Sequence, residues 1–255
     1  MLLELLQNAP VLLGLTFIIG FFAGAVKGVV GFAMPMILLS GLSTFMTPHS
    51  ALAALILPTL VTNFQQALMP GPPSVSLIIN RFQLFLVTCG ASMILSSQLT
   101  PYLPAQLFLG ILGVTICFFS IFQMLGARFN LRETNLKVTI GLAAMTGFVG
   151  GISGIWGPLT VTYLTAINLK KQEHVKVQGI VYSLGAILLL LGHIYSGIFT
   201  WYTASLSASL VIPSMLGLRV GILIRDKFDE VRFRHAILVV LLITGGNLVR
   251  KAWFP

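Results

Sequence analysis

The sequence predicts an all-α integral membrane protein of two inverted repeats, each a broken, re-entrant helical hairpin followed by three transmembrane helices. Three observations predict it. The 255 residues are 56% hydrophobic and only 8% charged, against roughly 25% charged in a soluble domain, so the chain cannot cover a water-facing surface. Six apolar stretches have the length of a span, and two longer ones are interrupted by glycine and proline. The two interrupted stretches also match one another, and three spans follow each. This composition excludes a cytosolic enzyme, a nucleic-acid module and a disordered tail.

In chain order, residues 11–46 form the first interrupted stretch, and the spans 50–69, 82–99 and 105–125 follow. Residues 138–167 form the second, followed by spans 175–195, 201–222 and 233–249. Each interrupted stretch reaches 30 residues or more, too long for one straight span and short for two. A V-shaped pair of half-helices fits better, with irregular backbone at the glycines. The expected division is a first transmembrane repeat over 1–126, a cytoplasmic connecting loop over 127–136 and a second repeat over 137–255. The amino terminus, Met1-Leu2-Leu3-Glu4, has no basic n-region, so no cleaved signal peptide is expected. Cys89 and Cys117 lie in apolar stretches and read as packing residues. Trp201, Tyr202, Trp253 and Phe254 read as interfacial anchors.

The basic residues test the hairpin reading. If each interrupted stretch returns to the side it entered, twelve bases share one side: Arg81, Arg128, Arg132, Lys137, Lys170, Lys171, Lys176, Arg219, Arg225, Lys227, Arg232 and Arg234. Only Arg250 and Lys251 lie opposite, and Lys27 sits inside the bilayer. Eight simple crossings would split the same residues 8 to 6. The positive-inside rule prefers the first arrangement, with both termini outside and the chain in the cell (inner) membrane.

The repeat is read at an offset of 126 residues, which carries Gly24, Gly28 and Gly31 onto Gly150, Gly154 and Gly157, Phe22 onto Phe148 and Gly71 onto Gly197. Lys27 then matches Ser153. Pro35 and Pro158 open the second half-helices, although they fall three residues apart under this offset. Helix N-termini offer unpaired N–H groups and a positive dipole end, which suit an anion. Glycines spaced by four, Gly24/Gly28 and Gly150/Gly154, also fit plain helix packing.

Lys27 is the sharpest single residue. No acidic residue occurs between Glu4 and Glu133, so an intramembrane cation without a carboxylate calls for an anionic substrate, unless it snorkels to an interface. Thr59, Asn63 and Gln66 share one helical face, as do Gln178 and Tyr182. Their donors suit sulfonate or carboxylate oxygens, and interhelical hydrogen bonding is their other use. The expected substrate-binding residues are Gly24, Lys27, Gly28, Gly31, Phe32, Pro35, Asn63, Gln66, Ser153, Gly154, Trp156, Gly157, Pro158, Gln178 and Tyr182. Carboxylate proton relays are absent from the spans, so proton coupling would fall to His193, His49, Lys27 or the substrate itself. No metal, cofactor or nucleic-acid partner is expected. The partners are a small anion and the lipid bilayer; coupling to a proton, movement driven by the membrane potential and uncoupled movement are all open.

With these residues in view, the chain resembles the TauE/SafE sulfite exporter family, also called the 4-toluene sulfonate uptake permease family. The resemblance rests on Gly24–Pro35 and on Gly147–Pro158, whose Gly-Ile-Ser-Gly-Ile-Trp-Gly-Pro carries the pattern of glycines followed by proline. The first copy departs from it at Lys27 and with its later proline. The resemblance implies transport of sulfite, sulfonates or related sulfur or carboxylate anions, whether for export or uptake. The residues alone imply only an anion transporter, and alternating access of the two halves is the expected mechanism. An anion channel and a non-transporting membrane assembly protein are the rival readings. An enzyme is not expected, because the four histidines are scattered and no acid stands beside a serine within a span.

Overall fold

The computed structural model describes residue 1 and residues 9–68, 74–125, 135–167, 171–227 and 229–253. Within them all regular structure is helical: α1 (Pro10–Val30), α2 (Met34–Leu42), α3 (Pro48–Ala67), α4 (Val75–Ser97), α5 (Ala105–Met124), α6 (Leu136–Ser153), α7 (Gly157–Ala166), α8 (Lys171–Tyr195), α9 (Trp201–Ile224) and α10 (Glu230–Trp253). Seven of these, all but α2, α3 and α7, are long and apolar enough to cross a membrane. The protein is a multi-pass membrane protein. Gly71, Arg128, Arg132, Lys170 and Phe254, which the sequence reading used, lie outside the described residues, as does most of the 127–136 connection.

The stretch 50–69 was expected to be an ordinary span and is instead α3, a helix of 20 residues that misses the apolarity of the other seven. Its Thr59, Thr62, Asn63 and Gln66 are all buried. Enclosed by α8 and α9, α3 can carry polar side chains that a lipid-facing helix could not. It also tolerates Pro58, which removes the N–H that would pair with Ala54. Ser207 of α9 fills in, donating to the Ala54 carbonyl at 3.0 Å while accepting from the Leu57 N–H at 3.0 Å.

Both interrupted stretches are broken where glycine permits. Gly31 (φ +83°) ends α1, and Gly154 (φ +69°) ends α6. Each is left-handed, and each N–H bonds the carbonyl four residues back, at 2.7 Å, to Lys27 and to Gly150 respectively. Pro35 and Pro158 then sit in the first turns of α2 and α7. Ala33 (φ +76°) takes the left-handed conformation without being glycine, a strain of about 1–2 kcal/mol. The legs are unequal, which corrects the picture of two half-helices. α1 and α6 have 21 and 18 residues, whereas α2 and α7 have 9 and 10. A full-length leg is therefore followed by a short return.

The break geometry also aligns the two interrupted stretches differently from the glycine spacing. The left-handed glycines and the helix-opening prolines coincide at an offset of 123, not 126. Gly24, Gly28, Gly31 and Pro35 then fall on Gly147, Gly151, Gly154 and Pro158. Packing agrees. A Cβ at Gly24 would stand 2.1 Å from the Ser214 carbonyl oxygen, and one at Gly147 would stand 2.0 Å from that of Cys89. Gly28 and Gly151 are as tight, at 2.4 Å from Leu218 O and 2.2 Å from Met93 O. Lys27 now matches Gly150 rather than Ser153. The glycine spacing alone also allows 126, because membrane helices are rich in small residues and several offsets align glycines.

Helix directions follow from these contacts. Gly20, Gly24 and Gly28 meet α9 at progressively later residues, as Gly147 and Gly151 meet α4, so α1 runs parallel to α9 and α6 to α4. Ser92 and Ser96 lock the second pair, donating to Ala144 O and Gly147 O. Both short legs turn back: Gly41 of α2 lies against Ile19 of α1, and Tyr163 of α7 stacks on Phe85 of α4 with ring centres 4.5 Å apart. Beyond α2, Thr44 O accepts from Lys251 at the far end of α10. Taken together, these pairings place Arg81, Lys137, Lys176, Arg219, Arg225, Lys227, Arg232 and Arg234 toward one end of the bundle. Arg250 and Lys251 lie at the other.

Candidate functional site

The two breaks face one cavity. It is lined by Lys27 of α1, by Phe32, Ala33, Pro35 and Met36 around the first break, and by Ile155, Trp156, Gly157 and Pro158 around the second. Thr59 and Asn63 of α3 and Tyr182 of α8 close its sides. The N-termini of both short helices thus abut the same space. Its volume is about 20 Å³, room for about one water molecule, so the space between the breaks is narrow.

Lys27 is 3% exposed. Its ammonium donates to Thr62 Oγ1 at 2.9 Å and to Asn63 Oδ1. Both partners are neutral, and Thr62 and Asn63 are themselves anchored: Thr62 Oγ1 donates to Pro58 O at 2.7 Å, and Asn63 Nδ2 donates to Tyr182 O at 3.1 Å. The Tyr182 hydroxyl in turn donates to Gly157 O at 2.9 Å. A chain of side chains therefore links the ammonium beside the first break to the backbone of the second. Thr59 Oγ1 is buried on the cavity wall with no hydrogen-bond partner, which leaves a donor to spare.

Of the expected site residues, Lys27, Phe32, Pro35, Asn63, Trp156, Gly157, Pro158 and Tyr182 meet at the cavity. Gly24 and Gly28 face α9 and serve close packing. Gly31 lies beside the amides of Gln178 and Gln66; a Cβ there would stand 3.4 Å from Gln178 Oε1 and 3.9 Å from Gln66 Nε2. These three adjoin the cavity without lining it. Ser153 holds the second break together, donating to Val149 O at 2.6 Å and accepting from the Ile155 N–H at 3.1 Å. Gly154 faces Leu52 and Leu55 of α3. His193 is fully buried but lies eleven residues beyond Tyr182 on α8, about 16 Å along the helix axis. Its Nδ1 is 3.4 Å from Ser196 Oγ.

In the sequence Arg234 counts only among the twelve bases that share one side. Its guanidinium lies 5.4 Å from the centre of the Phe32 ring, and its Nε is buried without a hydrogen-bond partner. A second cation thus stands behind the aromatic wall of the Lys27 cavity. No sequence signal separates it from the neighbouring bases, because only the packing of α10 beside the first break brings it there. Among the described residues, no cluster of three or more His, Cys, Asp or Glu is placed to hold a metal ion.

The two glycine breaks, each followed by a helix-opening proline, are the segments on which the family resemblance rests, and the match is direct. Residues 16–248 match the sulfite exporter TauE/SafE family. The chain belongs to that family. No curated protein and no solved structure shows significant similarity to it. Membership of TauE/SafE, a transporter family, points away from an enzyme. The residues of this TauE/SafE chain that gather at the cavity come from both halves of the matched region.

Proposed function

We propose that this chain is a secondary transporter for small anions, namely sulfite, organosulfonates or related sulfur and carboxylate anions. It works by alternating access of two inverted repeats in the cell membrane. The observation that carries this reading is Lys27: a buried ammonium with only neutral hydrogen-bond partners, at a cavity where two helix N-termini also end. A hydroxyl and a carboxamide offset part of the cost of burying a cation, and an anion supplies the rest. N–H groups in the first turns of α2 and α7, the Thr59 hydroxyl and the Lys27 ammonium then converge on the same oxygens.

The helix pairings support the inverted repeat. Exchanging the halves turns the α1–α9 contact into α6–α4, both parallel and both with glycines against backbone, while α3–α8 and α5–α10 exchange with themselves. The base-rich end is the cytoplasmic one by the positive-inside rule, which puts both termini outside. A centre with room for one water fits an occluded state between two open ones better than a conducting pore. On the base-rich side, Phe32 under Arg234 forms the barrier. A proton gradient or the membrane potential drives the cycle; His193, remote from the cavity, serves a proton only through a relay.

The purified protein's melting temperature is expected to rise with millimolar sulfite, thiosulfate, a sulfonate or a short carboxylate, in the order of their affinities. Choline or sodium ions at the same ionic strength should give no such rise. A flat response to every anion would contradict the proposed site.

A further inference from the structure

A second hollow lies on the lipid-facing side of the cavity. It is a groove of about 410 Å³ between α4 and α8, lined by apolar side chains with Gln83 as the one polar side chain among them. Its outer rim includes Val87 and Ile94, 71% and 39% exposed. Its floor is Trp156, which is 2% exposed and also lines the Lys27 cavity. One indole therefore separates the charged centre from a wide apolar groove.

That indole is held by packing, with its ring edge-to-face against Tyr182 at 6.4 Å between centres, and by no side-chain hydrogen bond. Its Nε1 is buried without a hydrogen-bond partner, although a buried tryptophan N–H ordinarily finds one. It lies over Gly185 of α8, where a Cβ would stand only 2.8 Å away. Gly90 on α4 likewise leaves room for Leu188, whose Cδ1 would stand 2.6 Å from a Cβ there. Both glycines line the groove. Swinging the ring would break no side-chain hydrogen bond, and because the indole lines both spaces it would open one toward the other.

Resting on the anion-transport reading above, we propose that the groove between α4 and α8 is the subsite for the hydrocarbon tail of an amphiphilic sulfonate whose head group binds at Lys27. Charge and polarity assign the ends. The head group finds the ammonium, the Thr59 hydroxyl and the helix N-termini. The tail finds a wall of Phe85, Leu86, Met93, Val181 and Leu184, with Trp156 turned aside between them. The groove's volume lies within the range of small-molecule sites, whereas the narrow cavity holds no more than a water.

The test is a chain-length series: binding of sulfite and of methane-, ethane-, butane- and hexanesulfonate to the full protein in lipid nanodiscs. Wild type is expected to gain up to about fourfold in affinity per added methylene, the limit for complete burial. Ile187→Trp narrows the groove from α8 at a residue that does not line the cavity. It should flatten the series while leaving sulfite and methanesulfonate affinity unchanged. If wild type binds sulfite but shows no chain-length dependence, the tail subsite is overturned and the anion site stands. An equal slope in both proteins would mean that the tails partition into lipid only, which also overturns it. If neither sulfite nor any sulfonate binds, the anion-transport reading falls with it.

Discussion

Lys27→Met is expected to lower affinity for sulfite by about 10- to 100-fold, the loss of one charge-assisted contact of about 1.5–3 kcal/mol, while folded protein is still recovered. The two effects separate because of what surrounds the ammonium. Methionine approximates the length and flexibility of the lysine stem and removes a cation whose burial is costly. Thr62 keeps its bond to the Pro58 carbonyl, and Asn63 keeps its bond to the Tyr182 carbonyl. Thr62 Oγ1 and Asn63 Oδ1 both lose the lysine donor, a penalty of about 1–3 kcal/mol for each buried acceptor left unpaired that the removed charge offsets in part. Titration calorimetry of sulfite on both proteins, beside their melting curves, checks it. Unchanged affinity in a folded variant would show that Lys27 is not the anion's counter-charge.

Gly24→Ala is expected to damage folding rather than binding, by about 3 kcal/mol or more, because overpacking already costs about 1–3 kcal/mol where side chains can adjust. Here they cannot. The added methyl would stand 2.1 Å from the Ser214 carbonyl oxygen and 3.0 Å from the Leu218 nitrogen, both backbone atoms of α9. In the same helix pair a Cβ at Gly217 would stand 1.9 Å from the Phe21 carbonyl oxygen and one at Gly221 2.1 Å from that of Ala25, so α1 could make room only by separating along much of its length. Gly141→Ala in α6 is the control. Nothing lies within 4 Å of a Cβ there, and alanine gains about 1 kcal/mol of helix propensity over glycine. Melting curves in detergent should show Gly24→Ala falling and Gly141→Ala holding or rising. Equal melting temperatures would mean that the α1–α9 contact is not tight.

These two sites show what the sequence makes legible and what it hides. Composition and span length give the helices, because lipid forces long apolar runs. The breaks at residues 31–33 and 154–156 are also legible, since left-handed glycine followed by proline is a local rule written in local residues. The register between the two halves is not. Glycine at every fourth position satisfies helix packing at several offsets, and only the conformations of Gly31 and Gly154 select 123. Lys27 can be singled out as a cation in an acid-free half, but whether it snorkels or is enclosed depends on α3, whose Thr62 and Asn63 hold it inward. Arg234 and the double role of Trp156 escape the sequence altogether, because each depends on a neighbour from a distant part of the chain.

Sulfite counterflow tests the central claim most directly. Proteoliposomes preloaded with unlabelled sulfite and diluted into a trace of labelled sulfite should accumulate label transiently above its equilibrium level. The initial rate should saturate with sulfite and be lost in Lys27→Met. Flux that rises linearly without saturation or overshoot, and survives loss of the ammonium, would contradict an alternating anion site between the two breaks.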